Sequence, residues 1–171
     1  ARIAPFGGEE KVEDFKFESF QHNKSVENSL PGNFVSSVFR DSRQDLWVST
    51  EGAGICKMTG SSEGTQFITF NEKNGLSNNT TKSIIEGEDG SIYIPTNQRL
   101  SILNPNTKVF RYYTQKEGLL SEYFNKAALK MDDGTPVFAG NKGLVMINNE
   151  GGKREHTKPK LLFGDLYLLN D

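Results

Sequence analysis

Gly75-Leu76-Ser77-Asn78-Asn79, then Ser83-Ile84-Ile85, Asp89-Gly90-Ser91-Ile92-Tyr93-Ile94-Pro95-Thr96 and Leu100-Ser101-Ile102-Leu103, is the middle copy of a phrase written three times. A shift of 46 residues back places Leu76 on Leu30, Ile84 on Val38, Ile92-Tyr93-Ile94 on Leu46-Trp47-Val48, and Thr96 on Thr50. A shift of 43 forward places Gly75-Leu76 on Gly118-Leu119. A shift of 44 places Tyr93-Ile94 on Val137-Phe138, and Leu100-Ser101-Ile102-Leu103 on Leu144-Val145-Met146-Ile147. Short strands recurring at 40 to 50 residues mark a β-propeller blade or a related β array. Such units cannot bury their faces alone, so function belongs to the assembled array.

Each copy reads as four strands. The innermost fall on 34–40, 80–86 and 124–130, and the next on 45–50, 91–96 and 135–140. A third set falls on 54–58, 99–103 and 143–148. The outer set opens each following copy, at 15–20, 66–70 and 109–113. The triplets Leu46-Trp47-Val48 and Ile92-Tyr93-Ile94 are apolar without alternation, as expected of strands covered on both faces. The outer strands alternate aromatic and polar residues, as a strand with one wet face does.

Asp89-Gly90 and Asp133-Gly134 predict two-residue type I′ turns with positive φ at both central residues. The first copy has Arg43-Gln44-Asp45 there, which predicts a longer turn or one of another type. Gly54 and Gly143 precede the third strand, where the middle copy has Arg99. At the chain's edges, Arg2-Ile3-Ala4-Pro5 reads as a strand lacking its partners. Thr157-Lys158-Pro159-Lys160 reads as a linker, and 161–170 as the first strand of another β domain. The expected fold class is all-β. It comprises a partial propeller of about three four-stranded blades (1–152), then a linker and the start of a β-sandwich (153–171).

Composition narrows the function classes. Twenty basic and 22 acidic residues give a formal charge of −2 with no long block of one sign, against a nucleic-acid or basic membrane-binding face. No run of 18 apolar residues offers a membrane span, and no signal peptide opens the chain. The single cysteine, Cys56, forbids an internal disulfide and reads as a packed thiol. No Cys/His cluster or calcium-loop spacing suggests a metal, and no cofactor is expected.

Residues 15–151 resemble the two-component regulator propeller repeat: Gly-Leu-Ser-Asn, a Ser-Ile core, Asp-Gly, an aromatic-centred strand ending in Thr, then a Gly-Leu strand. The third copy, with Tyr123-Phe124-Asn125 and Val137-Phe138-Ala139-Gly140, is similar to the last blade of such propellers. Pro159-Lys160-Leu161-Leu162-Phe163 resembles the start of the immunoglobulin-like domain that follows in this family. The resemblance implies the C-terminal part of the periplasmic sensor region of a bacterial hybrid two-component system. Such a region binds glycan fragments, forms a homodimer and signals through a membrane helix to a histidine kinase. This segment itself is expected to be non-enzymatic. A propeller-type lyase or glycosidase and a purely structural spacer are the alternatives.

The loops joining outer to inner strands and second to third strands fall on one edge of each blade. They carry Asn33, Asn78, Asn79, Tyr123 and Asn125 from one set, and Glu51, Asn97, Arg99, Asn141 and Lys142 from the other. Amides both donate and accept, which suits a surface reading hydroxyl groups. Asn also serves turns that need positive φ. Arg99, standing where the other copies have glycine, is the leading ligand-contact candidate, with an oligosaccharide as the expected partner. Trp47 reads as packing between blades, with a sugar-stacking platform as the rival. Thr50 and Thr96 read as turn-bonding residues. Asp132-Asp133 could suggest paired carboxylates for glycoside cleavage, but adjacent side chains point apart. Asp41-Ser42-Arg43-Gln44-Asp45-Leu46-Trp47 lacks the glycine and threonine of a sialidase Asp-box.

Overall fold

The computed structural model describes residues 17–61 and 64–148. Eleven strands form three antiparallel sheets among these residues. The first sheet has the order β1 (Val35–Arg40), β2 (Leu46–Thr50), β3 (Gly54–Ser61), β4 (Gly64–Phe70). The second repeats it with β5 (Ile85–Glu86), β6 (Ile92–Pro95), β7 (Leu100–Asn104) and β8 (Val109–Tyr113). The third holds β9 (Phe124–Lys130), β10 (Pro136–Gly140) and β11 (Gly143–Met146). Each sheet is a simple meander, so sequential strands pair and every connection is short.

The sheets stack face to face. Trp47, Ile55 and Phe70 of the first sheet meet Ile84, Ile92, Ile94 and Leu103 of the second, with Leu76 between them. Ile85, Tyr93, Leu100 and Ile102 on the second sheet's opposite face meet Phe124 and Phe138 of the third, with Leu119 between. The recurring leucine of the Gly-Leu phrase is thus a wedge between neighbouring sheets. Strand β6 is buried along its whole length because it is covered on both sides, which explains its unbroken apolar run. Cys56 is fully buried, in keeping with its place in a strand.

Several expectations need correction. Residues 17–20 are not a strand. Phe20 and Leu30 lie over the outer face of the first sheet instead, Phe20 edge-on to Phe67 and Leu30 against Val48 and Cys56. The inner strand of the second copy is only two residues long. Residues 80 and 81 are drawn sideways onto the first sheet, through a bridge from Thr80 to Glu51 and a bond from Thr81 N to Thr50 O. The third sheet has three strands rather than four among the described residues. The assignments for 1–16 and 149–171, including the linker and the β-sandwich strand, lie outside the described residues.

The hairpin turns also differ from expectation. In the second copy Gly90 N donates to Gly87 O and Gly87 N to Ser91 O, and only Gly90 has positive φ. The third copy repeats this with Gly134 N to Met131 O and Met131 N to Thr135 O. These are three-residue loops ending in one left-handed residue, a geometry that matches strand twist as well as type I′ does. The first copy has the same bonds, Gln44 N to Asp41 O and Asp41 N to Asp45 O, with Gln44 at φ 69. No different turn type is needed. Asp41, buried, accepts from Arg43 N, Asp45 N and Trp47 Nε1, holding the loop where glycine is absent.

Candidate functional site

The loops predicted to share an edge do so. Gly52 N and Gly54 N, in the β2–β3 turn, both donate to Asn79 O in the connection from β4 to β5. Asn141 N, in the β10–β11 turn, donates to Tyr123 O. A repeated latch underlies this edge: Thr81 N donates to Thr50 O, and Phe124 N to Thr96 O one sheet later. Thr50 Oγ1 donates to Gly54 O at 2.7 Å and Thr96 Oγ1 to Arg99 O at 2.8 Å. Both threonines therefore bond turns, as predicted. Gly54 adopts φ +86, and Phe70 O stands where it would clash with a Cβ, so a side chain is excluded twice over. In the middle copy, Thr96 Oγ1 accepts from Gln98 N and Arg99 N, and this closes the turn without a glycine.

The candidate residues separate into two kinds. Asn78 Oδ1 accepts from Thr80 N, Asn79 Oδ1 from Glu72 N, and Asn125 Oδ1 from Ala127 N. Asn33 Oδ1 likewise accepts from His22 N. These oxygens are spent on backbone. Arg99, Tyr123, Asn141 and Lys142 are exposed, and Asn97 is half-buried. Arg99 leans outward, its guanidinium carbon 5.8 Å from the centre of the Tyr112 ring on β8, a cation–π placement. Tyr112 is tied in turn to Gly75 O through its hydroxyl. Arg99 thus packs on Tyr112 of the second sheet, while Asn141 and Tyr123 meet through the Asn141 N to Tyr123 O bond of the third.

Glu51 marks where the three sheets converge. Its carboxylate meets Lys126 Nζ of the third sheet at 2.9 Å. The Lys126 hydrogen bond and charge, with the charge of Lys82 added, hold the Glu51 carboxyl below the ordinary carboxylate range. Neither lysine was among the predicted site residues. The signal was present: Lys82 and Lys126 occupy the same position of the inner strand in successive copies, 44 residues apart, where the first copy has Ser36. Ser36 Oγ bonds Ser49 Oγ and donates to Thr81 O, so this inner row is polar throughout.

A cleft of about 600 Å³ opens at the same edge, between residues 22–31 and the first sheet. His22, Asn23, Lys24, Asn71 and Asn79 supply its polar walls, Val26 and Ile68 apolar ones. Only Asn79 of these was anticipated. Trp47 is 1% exposed, its ring on Phe70 and its Nε1 on Asp41, so it offers no stacking platform. Asp133 Oδ1 accepts from Thr135 N, a bond that lowers its carboxyl's pKa; it is a turn residue. Among the described residues no group of three or more His, Cys, Asp or Glu is placed to hold a metal ion. No helix among them is long and apolar enough to cross a membrane.

Comparison with known proteins agrees with the repeat reading. Residues 29–52 match the family described as two component regulator propeller. Over 101 residues the chain is 28% identical to Histidine kinase P4 of Formosa agariphila, a match covering 58% of this chain and 7% of that one. The extracellular domain of a hybrid two component system from B. thetaiotaomicron superposes with a TM-score of 0.60 at 23% identity. That match covers 74% of this chain and 18% of that one. PorZ of Porphyromonas gingivalis, a surface component of the type-IX secretion system, superposes with a TM-score of 0.56 at 13% identity, over 80% of this chain and 20% of that one. The chain thus spans a small part of each relative, and at these identities the structural likeness speaks for the fold alone. Three sheets stacked face to face in the register of the repeat mark the described residues as a β-propeller segment, and residues 29–52, on the first sheet, match the two component regulator propeller family.

Proposed function

We propose that this chain is a ligand-sensing segment of an extracytoplasmic sensor region, that it recognises oligosaccharides, and that binding is relayed to a histidine kinase in a parent homodimer. The observation carrying this reading is the shared loop edge. There Tyr123, Asn141 and Lys142 are exposed and Asn97 half-buried, Glu51 pairs with Lys126 across the sheets, and an open cleft lined by Gly52 and Asn79 lies at the first sheet's end of the edge. A pocket with a few convergent polar groups and exposed loop residues on a rigid scaffold is where binding is expected. Signalling then requires that the ligand bind two arrangements of the parent protein with different affinity. Calorimetry of the intact sensor region against a panel of glycan fragments tests it. Heat from at least one oligosaccharide is expected, and a folded protein giving none would overturn it.

A structural spacer is the second reading, favoured by the amides of Asn78, Asn79 and Asn125, whose oxygens all serve the backbone. Alanine at Tyr123 and Asn141 separates the two: loss of saccharide binding with unchanged stability supports the sensor.

A further inference from the structure

The third sheet stops one strand short, and the chain carries an outer-strand sequence that belongs to no sheet. Strands β3 and β7 each hold an outer strand, β4 and β8, whereas β11 has none among the described residues. On its paired side, Ile147 N donates to Pro136 O. Antiparallel bonds alternate along a strand, so the backbone groups of Leu144 and Met146 point to the open edge. Their side chains are exposed as well, at 72% and 52%. Open edges of this kind recruit extended chain.

The repeat indicates which extended chain fits. A shift of 50 places Phe17 on Phe67 and Phe20 on Phe70, and a further 43 places these on Phe110 and Tyr113. Residues 17–20 therefore hold the outer-strand position of the repeat. They also lie where such a strand lies. Phe20 stands edge-on to Phe67 at 5.5 Å, as Phe70 stands edge-on to Phe110 at 6.4 Å one sheet later. The stretch thus takes the outer-strand place of a sheet preceding the first, yet pairs with no strand among the described residues. Phe17 is 91% exposed, although its counterpart Phe67 is buried.

A seat for that ring exists at the other end of the stack. A cavity of about 200 Å³ lies beside β11, lined by Tyr113, Leu119, Val145 and Ile147. A cavity of ~150 Å³ is enough to hold a benzene ring. Between the first two sheets Phe110 fills the equivalent place, against Phe70, the counterpart of Tyr113. The pairing of β7 with β8, carried over to β11, sets Leu144 opposite Phe20 and Met146 opposite Glu18. Phe17 then falls on the face that looks toward Tyr113.

We propose that a second copy of this chain supplies residues 17–20 as the outer strand beside β11, with Phe17 in that cavity. The third sheet of one copy then stacks on the first sheet of the other, which continues the packing already present between the second and third sheets. Head-to-tail contacts close into a ring when the rotation allows. Two copies of three sheets make six, within the ~4–8 blades that propellers adopt. This assembly does not depend on saccharide binding.

Sedimentation velocity over a concentration series tests it. A dimer that dissociates on dilution is expected. Phe17→Ser, at a position exposed in the single copy, should leave the unfolding midpoint of the dilute monomer unchanged and weaken dimerisation by at least about tenfold. Glu18→Cys combined with Met146→Cys sets two thiols on directly opposed residues, Cα atoms ~5.5 Å apart, inside the ~4.4–6.8 Å that a disulfide spans. Mild oxidation should then give a covalent dimer on a non-reducing gel. A monomer at every concentration, assemblies larger than two, or a dimer indifferent to Phe17→Ser overturns the inference. So does a disulfide closed within one chain, which would mean that the chain's own residues 17–20 reach β11.

Discussion

Replacing Trp47 tests the central physical claim, that the sheets are held by their stacked faces. The indole is 1% exposed, packs on Phe70 at 5.8 Å between ring centres, and donates to Asp41 Oδ2 at 2.9 Å. Trp47→Ala removes a whole ring from between two sheets, and large-to-small changes of this kind cost ~3–5 kcal/mol. Against a total stability of ~5–15 kcal/mol for a domain, that is a large share. Trp47→Phe keeps most of the packing and deletes the N–H. A bond to a charged group is worth ~1.5–3 kcal/mol, and Asp41, itself buried, loses one of its donors. The assay is urea unfolding followed by far-UV circular dichroism, since the chain's only tryptophan is the residue removed. A cycle combining Trp47→Phe with Asp41→Asn should show a coupling of ~0.5–3 kcal/mol, as for neighbours sharing a bond. Saccharide affinity should be unchanged in Trp47→Phe. An unaltered midpoint in Trp47→Ala, or lost sugar binding with full stability, would refute the packing argument.

Further outcomes are expected. Gly54→Ala should cost more than ~1 kcal/mol in the same unfolding assay, because its φ is positive and the new Cβ would strike Phe70 O. Glu51 has a lowered folded pKa, so its pairing with Lys126 stabilises above the ordinary carboxylate pKa and is lost as pH falls through the folded value. Lys126→Met should therefore flatten the acid limb of the stability–pH curve, read by thermal melts from pH ~7 down to ~3. Burial pushes the Cys56 thiol up to about 12, so alkylation at pH ~8 should be slow in the native chain and fast in urea. By linkage, that raised pKa should erode stability as pH climbs above ~9 and the unfolded thiol ionises. The outer face of the third sheet exposes Leu129, Leu144 and Met146, in register with Ile85, Leu100 and Ile102, which the third sheet covers. A second copy should cover it in the isolated chain: light scattering should show concentration-dependent association, relieved by Leu144→Lys.

The sequence by itself determined the repeat, and with it the order of the strands in the second and third copies. Strands alternate their side chains locally and turns need particular residues locally, so Gly-Leu, Asp-Gly and the apolar triplets suffice. It determined also that Thr50 and Thr96 serve turns, because the oxygen and its partner stand three or four residues apart. What it left open depends on neighbours about 45 residues away. That Asn79 lines a cleft, that Glu51 pairs with Lys126, and that Arg99 leans on Tyr112 all need the sheets already stacked. The short β5 and the absent strand at 17–20 obey the same rule, since a strand exists only where an edge is there to receive it. The donor-or-acceptor character of each candidate amide is thus a tertiary property: the residue type supplies both groups, and packing decides which one remains.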